Sequence, residues 1–134
     1  MPVLNIEHIA CNVADAVAVA AWYVEHLGMK VVRHTPTAPF IHFLADAAGR
    51  GVIEIYSNPA DPVPDYASMH PLRFHLAFLA DDPDASKEAL VAAGATFVDE
   101  QKLADGSRLL MLRDPWGMAI QLCKRATPLV PGRV

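Results

Sequence analysis

The chain contains two copies of one sequence pattern, and this duplication limits the folds that it can adopt. His8 and Glu54 are 46 residues apart (54 − 8), and His75 and Gln121 are separated by the same 46 residues (121 − 75). Segments of similar character follow one another in the same order in both halves of the 134-residue chain. Because such agreement is hard to produce by chance, we interpret the chain as a tandem duplication.

Each half has the order strand, helix, strand, strand, strand, which we infer from hydrophobic alternation and from residues typical of helix ends. In the first half we predict a strand at 4–13, a helix that Asp15 caps and Gly28 ends, and strands at 29–34, 40–46 and 52–58. In the second half we predict a strand at 72–80, a helix from the Asp82 cap to Gly94, and strands at 95–100, 107–114 and 118–124. The predicted class is therefore α+β.

A proline-rich segment separates the two copies. Residues 57–71 contain four prolines, which neither a helix interior nor a central strand tolerates. The predicted organisation is a first βαβββ module at 1–56, a linker at 57–71, a second module at 72–124 and a C-terminal tail at 125–134.

Composition excludes several classes of protein. The formal charge of −4 and the scattered basic residues give no electrostatic basis for binding nucleic acid. Two cysteines cannot form a disulfide framework, and no apolar run is long enough to cross a bilayer. With no basic leader at the N-terminus, we expect a cytoplasmic protein that does not associate with membranes.

One polar donor lies on the same face of four predicted strands. Side chains alternate along a strand, so Glu54 faces away from Ile53 and Ile55, and Gln121 faces away from Ile120 and Leu122. By the same alternation, His8 and His75 face away from the apolar side of their strands. A lone strand histidine is usually structural, but two imidazoles, one carboxylate and one amide at duplicated positions are a donor set that a divalent ion can use.

Several motifs resemble a known superfamily. The segments IEHIACNVAD, YVEHLGMKVV, VIEIYSNP and DPWGMAIQLC are similar to those of the vicinal oxygen chelate superfamily, which includes glyoxalase I, extradiol dioxygenases, methylmalonyl-CoA epimerase and bleomycin-resistance proteins. The resemblance covers residues 4–124 and implies a curved eight-stranded mixed sheet around a cleft. It also implies a divalent metal (Zn, Ni, Co, Fe or Mn) bound by His8, Glu54, His75 and Gln121, and a homodimer.

The resemblance leaves more than one function open. A glyoxalase-like lyase, isomerase or epimerase would act on a small carbonyl or oxoacid substrate through a metal-stabilised enediolate, with Glu54 as the catalytic base. Gln121 stands where the superfamily usually has a glutamate, and an amide cannot accept the proton. That departure leaves open a non-catalytic protein of the bleomycin-resistance kind, and it counts against an extradiol dioxygenase.

Three further residues are candidate substrate contacts. Tyr56 and Arg73 share predicted strand faces with Glu54 and His75, respectively. We expect His42, with Phe40 and Leu44, to lie on the open side of the sheet and to contact a ligand.

Overall fold

The structure is a computed structural model that describes residues 1–132. Within these residues the chain forms two α-helices, one short 3₁₀ helix and eight strands, and it divides into two compact units at Pro64 and Asp65. This boundary falls inside the predicted linker. No helix in the described part of the chain is long and apolar enough to span a membrane.

The first unit is a βαβββ module. Its elements are β1 (Ile9–Asn12), α1 (Ala16–Leu27), β2 (Lys30–His34), β3 (His42–Ala45) and β4 (Val52–Tyr56). The sheet order is β1-β4-β3-β2, with β1 parallel to β4 and the other pairs antiparallel. The side chain of Asp15 accepts a hydrogen bond from the backbone N–H of Ala18, and Gly28 ends α1 in the left-handed conformation that a residue without a Cβ adopts most easily.

The second unit repeats the arrangement after a 3₁₀ helix at Tyr66–Ser68. Its elements are β5 (Leu76–Leu79), α2 (Pro83–Ala92), β6 (Thr96–Lys102), β7 (Arg108–Arg113) and β8 (Ala119–Lys124). The sheet order β5-β8-β7-β6 reproduces that of the first unit. Asp82 caps α2 through the backbone N–H of Ala85. The α+β class and the tandem βαβββ arrangement are therefore confirmed, with the eight described strands divided between two four-stranded sheets.

Two predicted strands begin later in the structure than in the sequence-based prediction. The predicted strand at 4–13 is observed only at Ile9–Asn12, and the preceding residues are largely exposed. The predicted strand at 72–80 is observed only at Leu76–Leu79, because His70 and Arg73 close a turn in which the Arg73 N–H donates to the His70 carbonyl. In both segments, apolar residues alternate over a longer stretch than the part that pairs with a neighbouring strand.

The apolar face of each sheet forms the core of its unit. In the first unit Leu44, Ile53 and Ile55 are buried, and α1 contacts β2, β3 and β4. In the second unit the corresponding face is buried and α2 contacts β6, β7 and β8; the residues of this face include Leu110, Leu112, Ile120 and Leu122. In both units the most buried isoleucine and leucine residues of the fourth strand lie on this face, as the sequence predicted; they are Ile53 and Ile55 in the first unit and Ile120 and Leu122 in the second.

The linker is ordered by contacts with each unit. Asn12 donates to the carbonyls of Asn58 (3.0 Å) and Asp61 (3.1 Å) and accepts from the Asn58 N–H. Near its other end, the Arg113 guanidinium donates to the carbonyls of Tyr66 (2.9 Å) and Met69 (2.7 Å). The tail at 125–132 has no helix or strand in its described part, and residues 133–134 of the predicted tail lie outside the described residues.

Candidate functional site

Glu54 lies on the face of the first sheet opposite its buried residues. Its cross-strand partners are Ala10 of β1 and Phe43 of β3, while its neighbours Ile53 and Ile55 point into the core. The side chain is partly buried and has no hydrogen-bond or ion-pair partner among residues 1–132. A partly buried carboxylate without a protein partner is stabilised by a bound cation or by water.

His8 lies beside the same aromatic ring as Glu54. It immediately precedes β1, and its ring meets the ring of Phe43 edge to face, with the ring centres 5.4 Å apart. Its Nδ1 is 2.9 Å from a carboxylate oxygen of Glu7. A carboxylate accepts the hydrogen bond, so Nδ1 carries a proton, and in the neutral ring Nε2 is the nitrogen whose lone pair is available as a ligand.

His75 has a similar hydrogen-bond arrangement at Nδ1 in the second unit. Its Nδ1 donates to the Pro71 carbonyl at 2.9 Å, because a carbonyl oxygen can only accept. Nε2 is therefore the atom with the free lone pair. A metal-binding imidazole commonly has this arrangement, in which a backbone oxygen fixes the tautomer and the ring orientation. His75 precedes β5, and the next residue of the same strand parity, Ala77, pairs with Gln121.

The neighbours of Gln121 are more deeply buried than those of Glu54. Its cross-strand partners are Ala77 and Met111, and its Oε1 accepts a hydrogen bond from the Cys123 thiol at 3.3 Å. Met111, Cys123 and Ala119 are at most 5 % exposed although they lie on the Gln121 face. Burial raises the pKa of the Cys123 thiol, and nearby Arg125 partly offsets this rise, so at neutral pH Cys123 is a thiol donor and not a thiolate.

The three candidate substrate contacts differ in where the structure places them. Tyr56 ends β4 on the parity of Glu54. Arg73 lies in the turn before β5, so its predicted position on a strand face with His75 is wrong. His42 pairs with Ile55, whereas Phe43 pairs with Glu54. The predicted position of His42 on the open face is therefore wrong: His42 has the parity of the buried residue Leu44.

Sequence reasoning missed the cross-strand neighbours of the two oxygen donors. Phe43 pairs with Glu54, and Met111 pairs with Gln121. Both neighbours were identifiable in principle from the register of a β-hairpin, because turn length fixes which residues face each other. The turns carry a shared signal, since the Gly49 N–H donates to the Asp46 carbonyl and the Gly117 N–H donates to the Asp114 carbonyl.

The four predicted metal ligands are present as one imidazole and one oxygen donor in each unit. Among residues 1–132, no group of three or more His, Cys, Asp and Glu side chains is positioned to hold a metal ion. Three members of the predicted donor set, His8, Glu54 and His75, are residues of these types, and the fourth is the amide of Gln121. The four-ligand site remains a prediction.

The family model named Glyoxalase/Bleomycin resistance protein/Dioxygenase superfamily matches residues 5–122. The chain belongs to this superfamily. The match covers both βαβββ modules and includes all four predicted ligands. It establishes the superfamily, which contains proteins of several functions, and the resemblance noted from the sequence motifs is confirmed.

Solved structures with the superfamily fold align with nearly the whole chain. A glyoxalase family protein from Enterococcus faecalis is 26% identical, with a TM-score of 0.68 over 90% of this chain and 97% of its own. The structure of SMU.1112c is 25% identical, with a TM-score of 0.70 over 92% and 100% of the two chains. TnmS3, an antibiotic binding protein from Streptomyces sp. CB03234, is 21% identical, with a TM-score of 0.69 over 91% and 96%. No protein of curated function matches significantly.

Proposed function

We propose that this superfamily member is a metal-dependent, glyoxalase-like lyase, isomerase or epimerase that acts on a small carbonyl or oxoacid substrate. The observation that carries the proposal is the hydrogen-bond arrangement of the two histidine rings. His8 and His75 each engage Nδ1 with an oxygen acceptor and keep Nε2 without a partner in the described chain. This is the tautomer and orientation that a metal ligand needs.

The donor chemistry fits a divalent first-row cation. His8, Glu54, His75 and Gln121 would hold the ion through two nitrogens and two oxygens, and imidazole and carboxylate suit zinc, nickel, cobalt, iron and manganese. When bound, such an ion supplies a Lewis acid for a substrate carbonyl oxygen. The cation would also neutralise the carboxylate of Glu54, which no cationic side chain of the described residues contacts.

Within this donor set, Glu54 is the residue that can move a proton. A carboxylate accepts a proton from the carbon next to a carbonyl, whereas the amide of Gln121 has no basic atom for this step. The Phe43 ring beside Glu54 and His8 would exclude water on one side of the reacting carbon. We therefore assign proton transfer to Glu54 and orientation of the ligand to Gln121.

Ligand sequestration is a second candidate function, and the surroundings of Gln121 favour it. Met111, Ala119 and Cys123 make the Gln121 face apolar and largely buried. Of the similar folds, TnmS3 is an antibiotic binding protein. An apolar surface with few polar groups is typical of sites that hold an organic ligand without reaction. An extradiol dioxygenase has the weakest support, because Gln121 replaces the expected carboxylate.

Metal analysis tests the proposal directly. Protein purified without chelators should contain one divalent ion per chain, and His8→Ala should lose it. His26→Ala is the matched control, because it also removes one imidazole but lies on α1 beside Trp22. Equal metal content in wild type and His8→Ala would refute the site.

The two oxygen donors are tested by exchanging their chemistry. Glu54→Gln should weaken metal binding by about 10- to 100-fold, and Gln121→Glu should tighten it, because a carboxylate is the better ligand for a cation. Competition titration with a chromophoric chelator measures both. An unchanged affinity for Gln121→Glu would mean that residue 121 does not contact the ion.

Catalysis is distinguished from sequestration by exchange with solvent deuterium. For the enzyme we expect exchange at the carbon next to the carbonyl in a panel of small oxoacids and hydroxyketones, and we expect this exchange to disappear in Glu54→Gln. We expect negligible activity on the glutathione adduct of methylglyoxal, because the second carboxylate is missing. Binding of a panel member without exchange would favour sequestration.

We also propose that the chain forms a homodimer. β1 is an edge strand of its sheet, and the residues before and within it expose the large apolar side chains of Val3, Leu4, Ile6 and Ile9. Exposed apolar side chains next to an unpaired edge are typical of an interface. A monomeric mass by light scattering at tens of micromolar protein would contradict the dimer.

A further inference from the structure

Two histidines face each other across β2 and β3. His34 and His42 are directly paired in the antiparallel register, next to the loop that joins the two strands. Their rings are stacked with a 22° angle between planes, and the ring centres are 5.6 Å apart. His34 is exposed and His42 is partly exposed, so water and solutes reach both rings.

The His42 ring is fixed by the backbone of this loop. Its Nδ1 donates to the Phe40 carbonyl at 2.7 Å, which leaves Nε2 with the lone pair. Phe40 has a positive φ of 55°, a conformation that a bulky residue adopts only when its surroundings impose it. Hydrogen bonds from the Thr35 N–H to the Ile41 carbonyl and from the Ile41 N–H to Thr35 Oγ1 brace the loop. The His42 imidazole is therefore held in one orientation.

The separation of the two rings suits a shared metal ion. A metal–nitrogen bond of about 2.0–2.1 Å places an imidazole ring centre roughly 3 Å from the ion. Two such rings on one ion have centres about 5 Å apart at a tetrahedral angle and about 6 Å apart when they are opposite each other. The observed separation of 5.6 Å falls between these limits. In the stacked arrangement the lone pairs, which lie in the ring planes, do not converge, so the His34 ring would turn about its side-chain bonds to reach the ion; His34 is exposed and its ring has no hydrogen-bond partner among residues 1–132.

We propose that His34 and His42 form a two-histidine chelate for copper(II), nickel(II) or zinc(II). Imidazole is the ligand type that these three ions share, and the backbone hydrogen bond at His42 Nδ1 is the supporting contact that metal-binding histidines commonly have. Waters complete the coordination, because no third His, Cys, Asp or Glu joins the pair within residues 1–132.

This site is distinct from the ligand set of the proposed function. His42 pairs with Ile55 and shares the parity of the buried strand face, whereas Glu54 pairs with Phe43 on the opposite face. The two proposals therefore involve different side chains on opposite sides of one sheet. Either can fail without affecting the other.

Nickel titration of variants tests the chelate. In a His8→Ala/His75→Ala background, which removes both histidines of the other ligand set, calorimetry should detect one equivalent of bound Ni²⁺. Adding His34→Ala or His42→Ala should weaken this binding by about tenfold or more, because one of the two protein ligands is lost. Adding His26→Ala, which also removes one imidazole, should change the affinity less than twofold.

A spectroscopic readout separates coordination from a general effect on the protein. With one equivalent of Cu²⁺ in the same background, the electron paramagnetic resonance spectrum should show hyperfine coupling to two imidazole nitrogens, and to only one in His34→Ala. Absence of Ni²⁺ binding in the background, or equal affinity in the His34→Ala, His42→Ala and His26→Ala variants, would overturn the proposal.

Discussion

The first and second units place Glu54 and Gln121 at equivalent positions of the same scaffold. The helix caps Asp15 and Asp82 are 67 residues apart (82 − 15), as are Glu54 and Gln121 (121 − 54). The backbone hydrogen bond from Val13 to Tyr56 is repeated by that from Ala80 to Cys123. The duplication therefore preserves backbone geometry and caps, while the donor side chain on the fourth strand of each unit differs.

The surroundings of the two positions differ as much as the donors themselves. Glu54 lies beside the rings of Phe43 and His8 and has no protein partner in the described chain. Gln121 lies beside Met111 and accepts a hydrogen bond from Cys123. A charged donor without a partner is suited to binding a cation, whereas an amide among apolar side chains is suited to orienting an organic ligand. One duplicated strand position therefore carries two different donors in two different environments.

The largest expected effect tests whether both units bury the same face of their fourth strand. Ile55 is 2 % exposed and Leu122 is 3 % exposed. Ile55→Asp and Leu122→Asp should each reduce the free energy of unfolding by at least about 4 kcal/mol, because each buries an unpaired charge. Urea unfolding measures the loss. Glu54→Gln is the control and should remain within about 1 kcal/mol of wild type; an unaffected Ile55→Asp would reverse the face assignment.

A second difference between the units lies in the turn before the last strand. Gly49 and Gly117 both have positive φ, but an added Cβ at Gly49 meets nothing within 4 Å, whereas at Gly117 it would approach Ala67 to 2.6 Å. Gly49→Ala should cost about 1 kcal/mol of stability from backbone strain, and Gly117→Ala about 2–4 kcal/mol because the linker must also move. Thermal unfolding of both variants measures the difference. Equal losses of stability in the two variants would mean that the backbone at Ala67 moves aside at no cost in free energy.

The two cysteines provide a third comparison, through the pH dependence of stability. Burial raises the pKa of Cys11 from 9.0 to about 11. The native state then holds a proton that the unfolded state releases, so stability falls as pH rises above 9 and is reduced by about 1.4 kcal/mol at pH 10. The stability difference between wild type and Cys11→Ala should shift by this amount between pH 7.5 and pH 10.

Cys123→Ala serves as the matched variant for Cys11→Ala. Arg125 partly offsets the effect of burial on Cys123, so the corresponding shift for Cys123→Ala should be smaller. A larger shift for Cys123→Ala than for Cys11→Ala would contradict the assigned environments of the two thiols.

The smallest expected effect concerns the helix caps. The side chains of Asp15 and Asp82 accept hydrogen bonds of 3.0 Å from Ala18 and Ala85, respectively. Asp15→Ala and Asp82→Ala should each reduce the free energy of unfolding by about 1 kcal/mol, which is typical of a lost N-cap. Similar losses in chemical denaturation would show that both copies retain the cap; a loss in only one unit would identify the unit in which the cap has become dispensable.

Features set by local chemistry were predictable from the sequence. The caps at Asp15 and Asp82 and the left-handed Gly28 follow from short-range hydrogen bonding, and the alternation of Glu54 with Ile53 and Ile55 follows from strand geometry. The duplication then assigned the same arrangement to the second unit. These observations were sufficient for the fold class, whereas the superfamily followed from the resemblance of the sequence motifs.

Features set by long-range pairing were not predictable in the same way. The prediction counts strand alternation of side chains through Arg73 and Phe40. In the structure Arg73 lies in a turn, and Phe40 has a positive φ that interrupts the strand before His42. Once a turn interrupts a strand, parity must be counted again from the paired residues. The predicted faces of His42 and Arg73 depended on this count. The predicted faces of Glu54, which lies within β4, and of His8, which immediately precedes β1, did not cross such an interruption.

The parallel pairing of β1 with β4 has a consequence for the order in which the protein assembles. The antiparallel neighbours β2, β3 and β4 are joined by short connections, but β1 reaches β4 only after the chain between them has folded back, a separation of 46 residues from His8 to Glu54 (54 − 8). Loop closure over a longer segment costs more entropy and is slower. During synthesis, β1 must therefore wait for almost the entire first module to leave the ribosome before it can pair with β4.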